Sequence, residues 1–348
     1  MFERFGKSSE ALMNLKQDFF NDNDNLLKKS KEINNIYISQ PRRDRCKNCD
    51  YPIKNWSFTK QKVEYSVCEQ CGHLNGLHQD TSKFCEAVYT DDGGTGYAEN
   101  YNSKDIEEYN YRVSNIYLPK AEFLCDSLRH IGEVSENLSY SDFGAGAGFF
   151  VNALLKTGNP NVTGYEVSEA QVSLGNGVGN LKNLVVHSMK EIVDLAASVN
   201  SEVVSMIGVL EHLQNPREVL NALRNNSNVH YFYLSVPLFS PCVFFEMVFP
   251  TIMQRHLTSG HTHLYTESSL EWMANEYDLE PVSAWWFGTD MVDLYRNIEV
   301  RMKQQKETKS MADYWSKIMI PLIDSMQSAI DEKHLSSEVH MLYKFKGR

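Results

Sequence analysis

The chain has 348 residues, 42% of them hydrophobic, with a formal net charge of -11. This composition supports a sizeable buried core and excludes wholesale disorder, and the acidic balance excludes a protein whose whole surface grips nucleic acid. The opening residues MFERFGKSSE lack the apolar core of a signal peptide, and no apolar run approaches the roughly 20 residues of a membrane span, so no span and a cytoplasmic location are expected.

Residues 1–40 are polar, with a helical stretch near Glu10 to Phe20, and read as an N-terminal helical extension with little chemistry. Residues 41–80 hold Cys46-x2-Cys49 and, after 18 residues, Cys68-x2-Cys71. Four soft thiolates in two C-x-x-C knuckles match a tetrahedral structural Zn2+ site, and a redox thiol pair is the alternative. Arg43, Arg45 and Lys47 are expected to ease the thiolate charge, although a short basic run also reads as a solvated face. A complete thiolate set leaves His73 and His78 no required role, and Cys85, Cys125 and Cys242 read as ordinary buried thiols.

Residues 81–137 form a helical cap or linker with many tyrosines. Tyr97, Tyr101, Tyr109, Tyr111 and Arg112 read either as a segment over a ligand or as packing for the cysteine module.

From 138 to 348 strands alternate with helices. Strands are expected at Leu138 to Phe143, Val162 to Val167, Leu184 to His187, Val203 to Gly208, His230 to Val236, Pro281 to Trp286 and Val339 to Phe345. That pattern predicts an α/β Rossmann-like sheet of seven mostly parallel strands. A helical insertion covers about 291–332, with Trp315, Met319, Leu322 and Met326 spaced as a core face and Pro321 as a break. The apolar stretch 238–253, interrupted by Glu246 and Pro250, fits a substrate lid, a dimer contact or core.

The first of these strands runs into Asp142-Phe143-Gly144-Ala145-Gly146-Ala147-Gly148, where glycine lets a ligand approach the main chain closely. The spacing is G-x-G-x-G, whereas a pyrophosphate-binding dinucleotide loop prefers G-x-G-x-x-G. Glu166 ends the next strand, 22 residues after Gly144, where a carboxylate accepts hydrogen bonds from ribose hydroxyls. The fourth strand ends in Gly208-Val209-Leu210-Glu211-His212, with Pro216 beyond.

Together these motifs resemble class I S-adenosylmethionine-dependent methyltransferases over roughly 138–290 and the terminal strand. The resemblance implies S-adenosyl-L-methionine as cofactor. Asp142 and the Gly144, Ala145, Gly146 and Gly148 backbone would face its methionine part, and Glu166 its ribose. Val167, His187 and Ser188 would lie at the adenine, and Gly208 and Val209 at the methyl end. Near that end stand Glu211 and His212, and His212 reads equally as a base and as a loop hydrogen bond. Gly260-His261-Thr262-His263-Leu264 follows the fifth strand, where clefts open in such sheets; His263 is the first choice of base and His261 the second. Asp290 reads as substrate-facing or as a helix cap.

Cysteine knuckles ahead of such a domain resemble the sugar C-methyltransferases and surface-polysaccharide methyltransferases. Thr262 stands where that group carries Glu, which puts carbon methylation in doubt and leaves oxygen or nitrogen methylation open; O-methylation is the favoured expectation over C- or N-methylation. The expected acceptor is a small polar molecule, a nucleotide-linked or polysaccharide sugar, with nucleic acid disfavoured as partner and a homodimer compatible. The rival readings are a polyketide, peptide or RNA acceptor, and a non-catalytic scaffold of the same fold.

Overall fold

Strands β5 (Tyr140–Phe143) and β9 (Tyr231–Pro237) are buried at every residue. A strand covered on both faces reads as a nearly continuous apolar run, as β9 does, whereas β5 buries Ser141 and Asp142 as well. A computed structural model describes residues 1–15, 18–90, 106–258 and 260–348. The remaining strands in chain order are β1 (Phe2–Phe5), β2 (Phe58–Lys60), β3 (Val63–Val67), β4 (Leu74–Gly76), β6 (Val162–Glu166), β7 (Leu184–Val186), β8 (Val203–Ile207), β10 (His263–Leu264), β11 (Leu279–Phe287) and β12 (Glu338–Phe345).

The main sheet has the order β1-β11-β12-β9-β8-β5-β6-β7. Its β9-β8-β5-β6-β7 half is parallel, and β12 is antiparallel to both β9 and β11. The expected seven-stranded Rossmann-like sheet is present, with one addition. The N-terminal extension supplies an edge strand, Phe2 pairing with Ser283 and Phe5 with Trp286. Helices cover both faces, so Val204, Met206 and Leu234 belong to one apolar core and Phe150, Val151 and Leu342 to another. Among the described residues no helix is long and apolar enough to cross a membrane.

The second sheet has the order β10-β4-β3-β2. Three of its strands come from the cysteine region. The fourth, β10, comes from beyond residue 260, with His263 opposite Asn75 and Leu264 opposite Leu74. Leu74 and Leu264 are fully buried, each removal from water contributing about 1.5–3 kcal/mol. The two regions expected to divide at residue 80 therefore share a sheet.

The helical insertion comprises Asp290–Gln304, Ala312–Met319 and Ile323–Asp331, with a tight turn at Ile320–Leu322 around Pro321. The expected core face holds only as far as that proline. Met319 is buried, whereas Leu322 and Met326 are exposed and Ile323 takes the inward position. The break at Pro321 rotates the second helix relative to the first.

The stretch 238–253 forms the helix Pro241–Val248, and the charge that interrupted it in sequence is structural. Glu246 is buried, lies 2.5 Å from Lys60 Nζ, and accepts hydrogen bonds from the backbone of Arg255, His256 and Leu257. Asp290 neither faces a substrate nor caps its own helix. It is fully buried, accepting from Ser240 and the Cys242 backbone on one oxygen and from Gln327 and the Ser337 backbone on the other.

Candidate active site

In a doubly wound sheet the crevice opens at the carboxyl ends of the parallel strands. Here Asp142 ends β5 beside Ser205 of β8, whose hydroxyl donates to it at 2.6 Å. Burial pushes the Asp142 carboxyl up to about 7 against the effect of that bond, and Glu166 adds to the rise. Glu166 is locked by the main chain: its Oε1 accepts from the Val167 and Ser168 nitrogens at 2.8 and 2.9 Å, and its Oε2 from Gly146 at 2.8 Å.

The glycine loop leaves no room for side chains at two places. Gly144 has φ +70°, and a Cβ there would meet a Val209 methyl at 2.5 Å. Gly148 has φ +71°, and a Cβ there would meet Leu181 at 2.3 Å. Left-handed backbone and close packing together exclude other residues.

A cleft of about 270 Å3 is lined by Asp142, Gly144, Ala145, Gly146, Glu166 and Gly208 of the expected set. A neighbouring lobe of about 280 Å3 shares Gly144, Glu166 and Gly208 and adds Val167, His187 and Val209. Two expected contacts lie elsewhere. Gly148 packs under the loop against Leu181 and Leu184. Ser188 caps the short turn Met189–Glu191. Val209 lines the neighbouring lobe and not the first cleft. Gln171, unremarked in the sequence, lines the cleft, and its buried Oε1 has no partner among the described residues.

Glu211, His212 and His261 meet at the other end of the cleft. The turn Leu210–His212 follows β8, and His212 Nε2 lies 3.9 Å from Glu211 Oε1. The two imidazole centroids are 5.0 Å apart. Burial pushes Glu211 up to about 8, His212 down to about 4 and His261 well below the usual histidine range. His256, also unremarked, lines the cleft and lies 2.5 Å from the Leu238 carbonyl through its Nε2.

His263, the first choice of base, does not line this cleft. It lies on β10, 1% exposed, with Nδ1 2.7 Å from His73 Nε2. His261 precedes β10 and stays outside the sheet, whereas pairing with β4 holds His263 inside the cysteine module.

A second chamber of about 400 Å3 adjoins the cleft and shares Tyr117, Lys120, His212, Arg255, His261 and Glu338 with it. It adds Lys7, Arg112 and the apolar Leu12, Phe19 and Phe287. Lys120 pairs with Glu338 at 3.2 Å, Arg112 with Glu108 at 3.3 Å and Arg255 with Asp293 at 2.7 Å. Lys7 donates to the Ile116 carbonyl at 3.3 Å and lies 5.1 Å from the Phe287 ring centre. Burial, then Lys120, hold Lys7 down to about 7. The N-terminal extension thus walls a chamber that its sequence did not announce. Tyr109 donates to the Ala147 carbonyl at 2.9 Å and braces the glycine loop, Tyr111 is exposed, and Tyr97 and Tyr101 lie outside the described residues.

The four cysteines converge. Cys46 and Cys71 sulfurs are 3.8 Å apart, Cys49 and Cys68 sulfurs 3.5 Å, and all four lie within 4.8 Å of one another. Zn–S bonds of about 2.3 Å place tetrahedral sulfurs roughly 3.8 Å apart, so the donor set fits the ion. Side-chain amides of Asn48 and Asn75 point at the Cys71 and Cys46 sulfurs. The expected cations serve other partners: Arg43 and Lys47 pair with buried Asp80, and Arg45 with Asp50. Cys85, Cys125 and Cys242 are buried.

Residues 117–284 match the family model described as a methyltransferase domain. No curated protein matches the chain. Among solved structures, the chain is similar to a sarcosine dimethylglycine methyltransferase candidate from Galdieria sulphuraria, at 11% identity and TM-score 0.45, covering 73% of this chain and 98% of that one. It is also similar to magnesium protoporphyrin IX methyltransferase from Synechocystis, at 12% identity and TM-score 0.43, covering 59% and 92%. Strand order, a crevice at the strand ends and the match over residues 117–284 agree that the chain carries a class I S-adenosylmethionine-dependent methyltransferase domain.

Proposed function

We propose that this methyltransferase acts on an oxygen of a small polar acceptor bearing an anionic group, a nucleotide-linked or polysaccharide sugar. The observation that carries the reading is the second chamber. It opens on His212 and His261 and carries Lys7, which has no carboxylate within salt-bridge distance among the described residues, beside Arg112, Lys120 and Arg255, which share their charge with Glu108, Glu338 and Asp293. Guanidinium and ammonium groups so placed suit a phosphate or carboxylate, and a diphosphate linker carries both charge and acceptor oxygens. The likeness of the cysteine-knuckle arrangement to sugar methyltransferases supports the same acceptor class. Thr262, a hydroxyl where a carboxylate would stand, supports oxygen over carbon.

S-Adenosylmethionine, when bound, supplies a methyl group on a sulfonium centre. The residues present fit it. Asp142 and the unpartnered Gln171 oxygen would hold the cationic amino-acid end, Glu166 the ribose, and Val167, His187 and Val209 the adenine. Phe149 and Ile207 line the cleft and exclude water from the transfer path. Glu211, His212 and His261 stand where the acceptor hydroxyl must be aligned and relieved of its proton. The four cysteines would hold Zn2+ as a structural ion, closed to chemistry.

Turnover to S-adenosylhomocysteine across a panel of sugar nucleotides and their uncharged sugars tests the reading. Activity confined to the charged members is expected, and no turnover with any sugar nucleotide or polysaccharide overturns it.

A further inference from the structure

Both histidines at the methyl end are held in one tautomer by main-chain carbonyls. His212 Nδ1 lies 2.8 Å from the Gly260 oxygen and His261 Nδ1 2.6 Å from the His256 oxygen. A carbonyl only accepts, so both Nδ1 atoms carry the hydrogen, and Nε2 is the accepting nitrogen of each neutral ring. Orientation of an imidazole by such a bond is the arrangement metal-binding histidines use. Glu211 completes the group. It is 2% exposed, its Oε1 faces His212 Nε2, and its buried Oε2 has no hydrogen-bond partner among the described residues.

One donor atom from each of the three residues lies within 4.8 Å of the others. Metal bonds of about 2.0–2.2 Å to nitrogen and oxygen put neighbouring ligands roughly 3–3.5 Å apart, so closing on an ion asks each donor to move by about an ångström or less. Two imidazoles and one carboxylate suit a divalent first-row ion, and three protein ligands leave coordination positions open. The cysteine cluster, by contrast, is a closed thiolate set.

We propose that Glu211, His212 and His261 bind a divalent transition-metal cation at the mouth of the acceptor chamber. Its role in the reaction rests on the acceptor reading above; its binding does not. In the transfer the acceptor O–H bond breaks and its proton leaves to solvent. The oxygen electron pair forms the O–CH3 bond, and the C–S pair stays on sulfur, which passes from sulfonium to thioether. No oxidant or reductant is consumed, and the cation acts by making the hydroxyl more acidic.

The full-length protein, with zinc retained at the cysteines, is titrated with cobalt(II). One further equivalent is expected, with weak d–d absorption and no thiolate charge-transfer band. Glu211→Gln and His261→Gln are each expected to weaken that uptake by at least about a hundredfold, since even outer-shell partners are worth 10–100-fold. Retained zinc and retained cofactor binding report that the variants are folded, and His212→Asn replaces either one that is not. No second equivalent in the native chain, or uptake that persists in the variants, overturns the proposal. Cobalt bound without turnover of any sugar nucleotide upholds the metal site and sinks the acceptor reading. Turnover of a sugar nucleotide in protein stripped of the second ion upholds the acceptor reading and removes the cation from the reaction.

Discussion

His73 Nε2 lies 2.7 Å from His263 Nδ1, and that bond ties the cysteine module to the loop that carries His261. The same loop is held twice more, by the Gly76 nitrogen donating to the Thr262 carbonyl at 2.8 Å and by the pairing of β10 with β4. The cysteines themselves stay remote from the cleft, yet the sheet they organise sets where His261 stands.

Loss of the thiolate-bound ion is therefore expected to reach catalysis through position. Cys71→Ser should lower the melting temperature and cut kcat/KM by at least about tenfold, because small displacements at a reacting centre are costly. Cofactor affinity should change little, since Asp142, Glu166 and the glycine loop lie on strands of the other sheet. Calorimetric titration with cofactor beside steady-state kinetics checks this; equal losses in both would show a general collapse.

The two histidines two residues apart should separate cleanly. His261→Ala is expected to lower kcat by about 10²–10⁴-fold, the range for losing assistance to proton removal at the reacting atom, whether the imidazole or a cation it holds supplies that assistance. His263→Ala should leave kcat within a few-fold and instead destabilise the fold by about 1–3 kcal/mol, because it strands a buried partner on His73. Denaturant melts and kinetics on both variants decide it, and a large kcat loss in His263→Ala would reinstate that residue as the base.

Cofactor binding should tighten as pH rises. Burial raises the Asp142 carboxyl from its ordinary 3.8 to about 7, so near pH 6 it is mostly protonated. A cationic ligand favours the carboxylate, and binding below pH 7 must expel a proton. Affinity is expected to rise by up to roughly tenfold per unit towards pH 7 and level off above it. The linkage to stability runs the other way. A carboxyl that holds its proton more tightly when folded contributes stability below pH 3.8 that is lost as pH rises through about 7. Titration calorimetry from pH 5.5 to 8.5 on the native protein and on Asp142→Asn tests both, the variant binding weakly with a flat profile.

Much of this site was legible because it is local. Asp142, Gly144, Gly146, Glu166, Glu211 and His212 lie at strand ends, and buried parallel strands announce themselves as apolar runs. What was not legible is non-local or too short. Phe2–Phe5 spans four residues, below the length at which periodicity speaks, and only its pairing with β11 makes it a strand. Lys120 and Glu338 are 218 residues apart in sequence, and only the fold brings them to one wall. That His261 and not His263 lines the cleft has a related reason. Both sit on one loop, and the partner strand β4, some 190 residues earlier, decides which one turns inward.

Lys7 offers the sharpest test of the acceptor. Among the described residues no carboxylate lies within salt-bridge distance of its ammonium group, and Phe287 and Lys120 stand beside it instead. Burial and the neighbouring lysine hold it down to about 7, so the chamber wall carries this charge below that pH and loses it above. An anionic acceptor should bind best where Lys7 is protonated, and its KM is expected to climb as pH rises from 7 to 9 while kcat moves less. Lys7→Met should raise KM for a charged acceptor by about tenfold, the worth of one charge-assisted hydrogen bond, and abolish that climb. For an uncharged sugar the same change should leave KM nearly unaltered. A pH-independent KM in the native enzyme, or an equal penalty for charged and uncharged acceptors in Lys7→Met, would show that the anion does not reach the N-terminal wall.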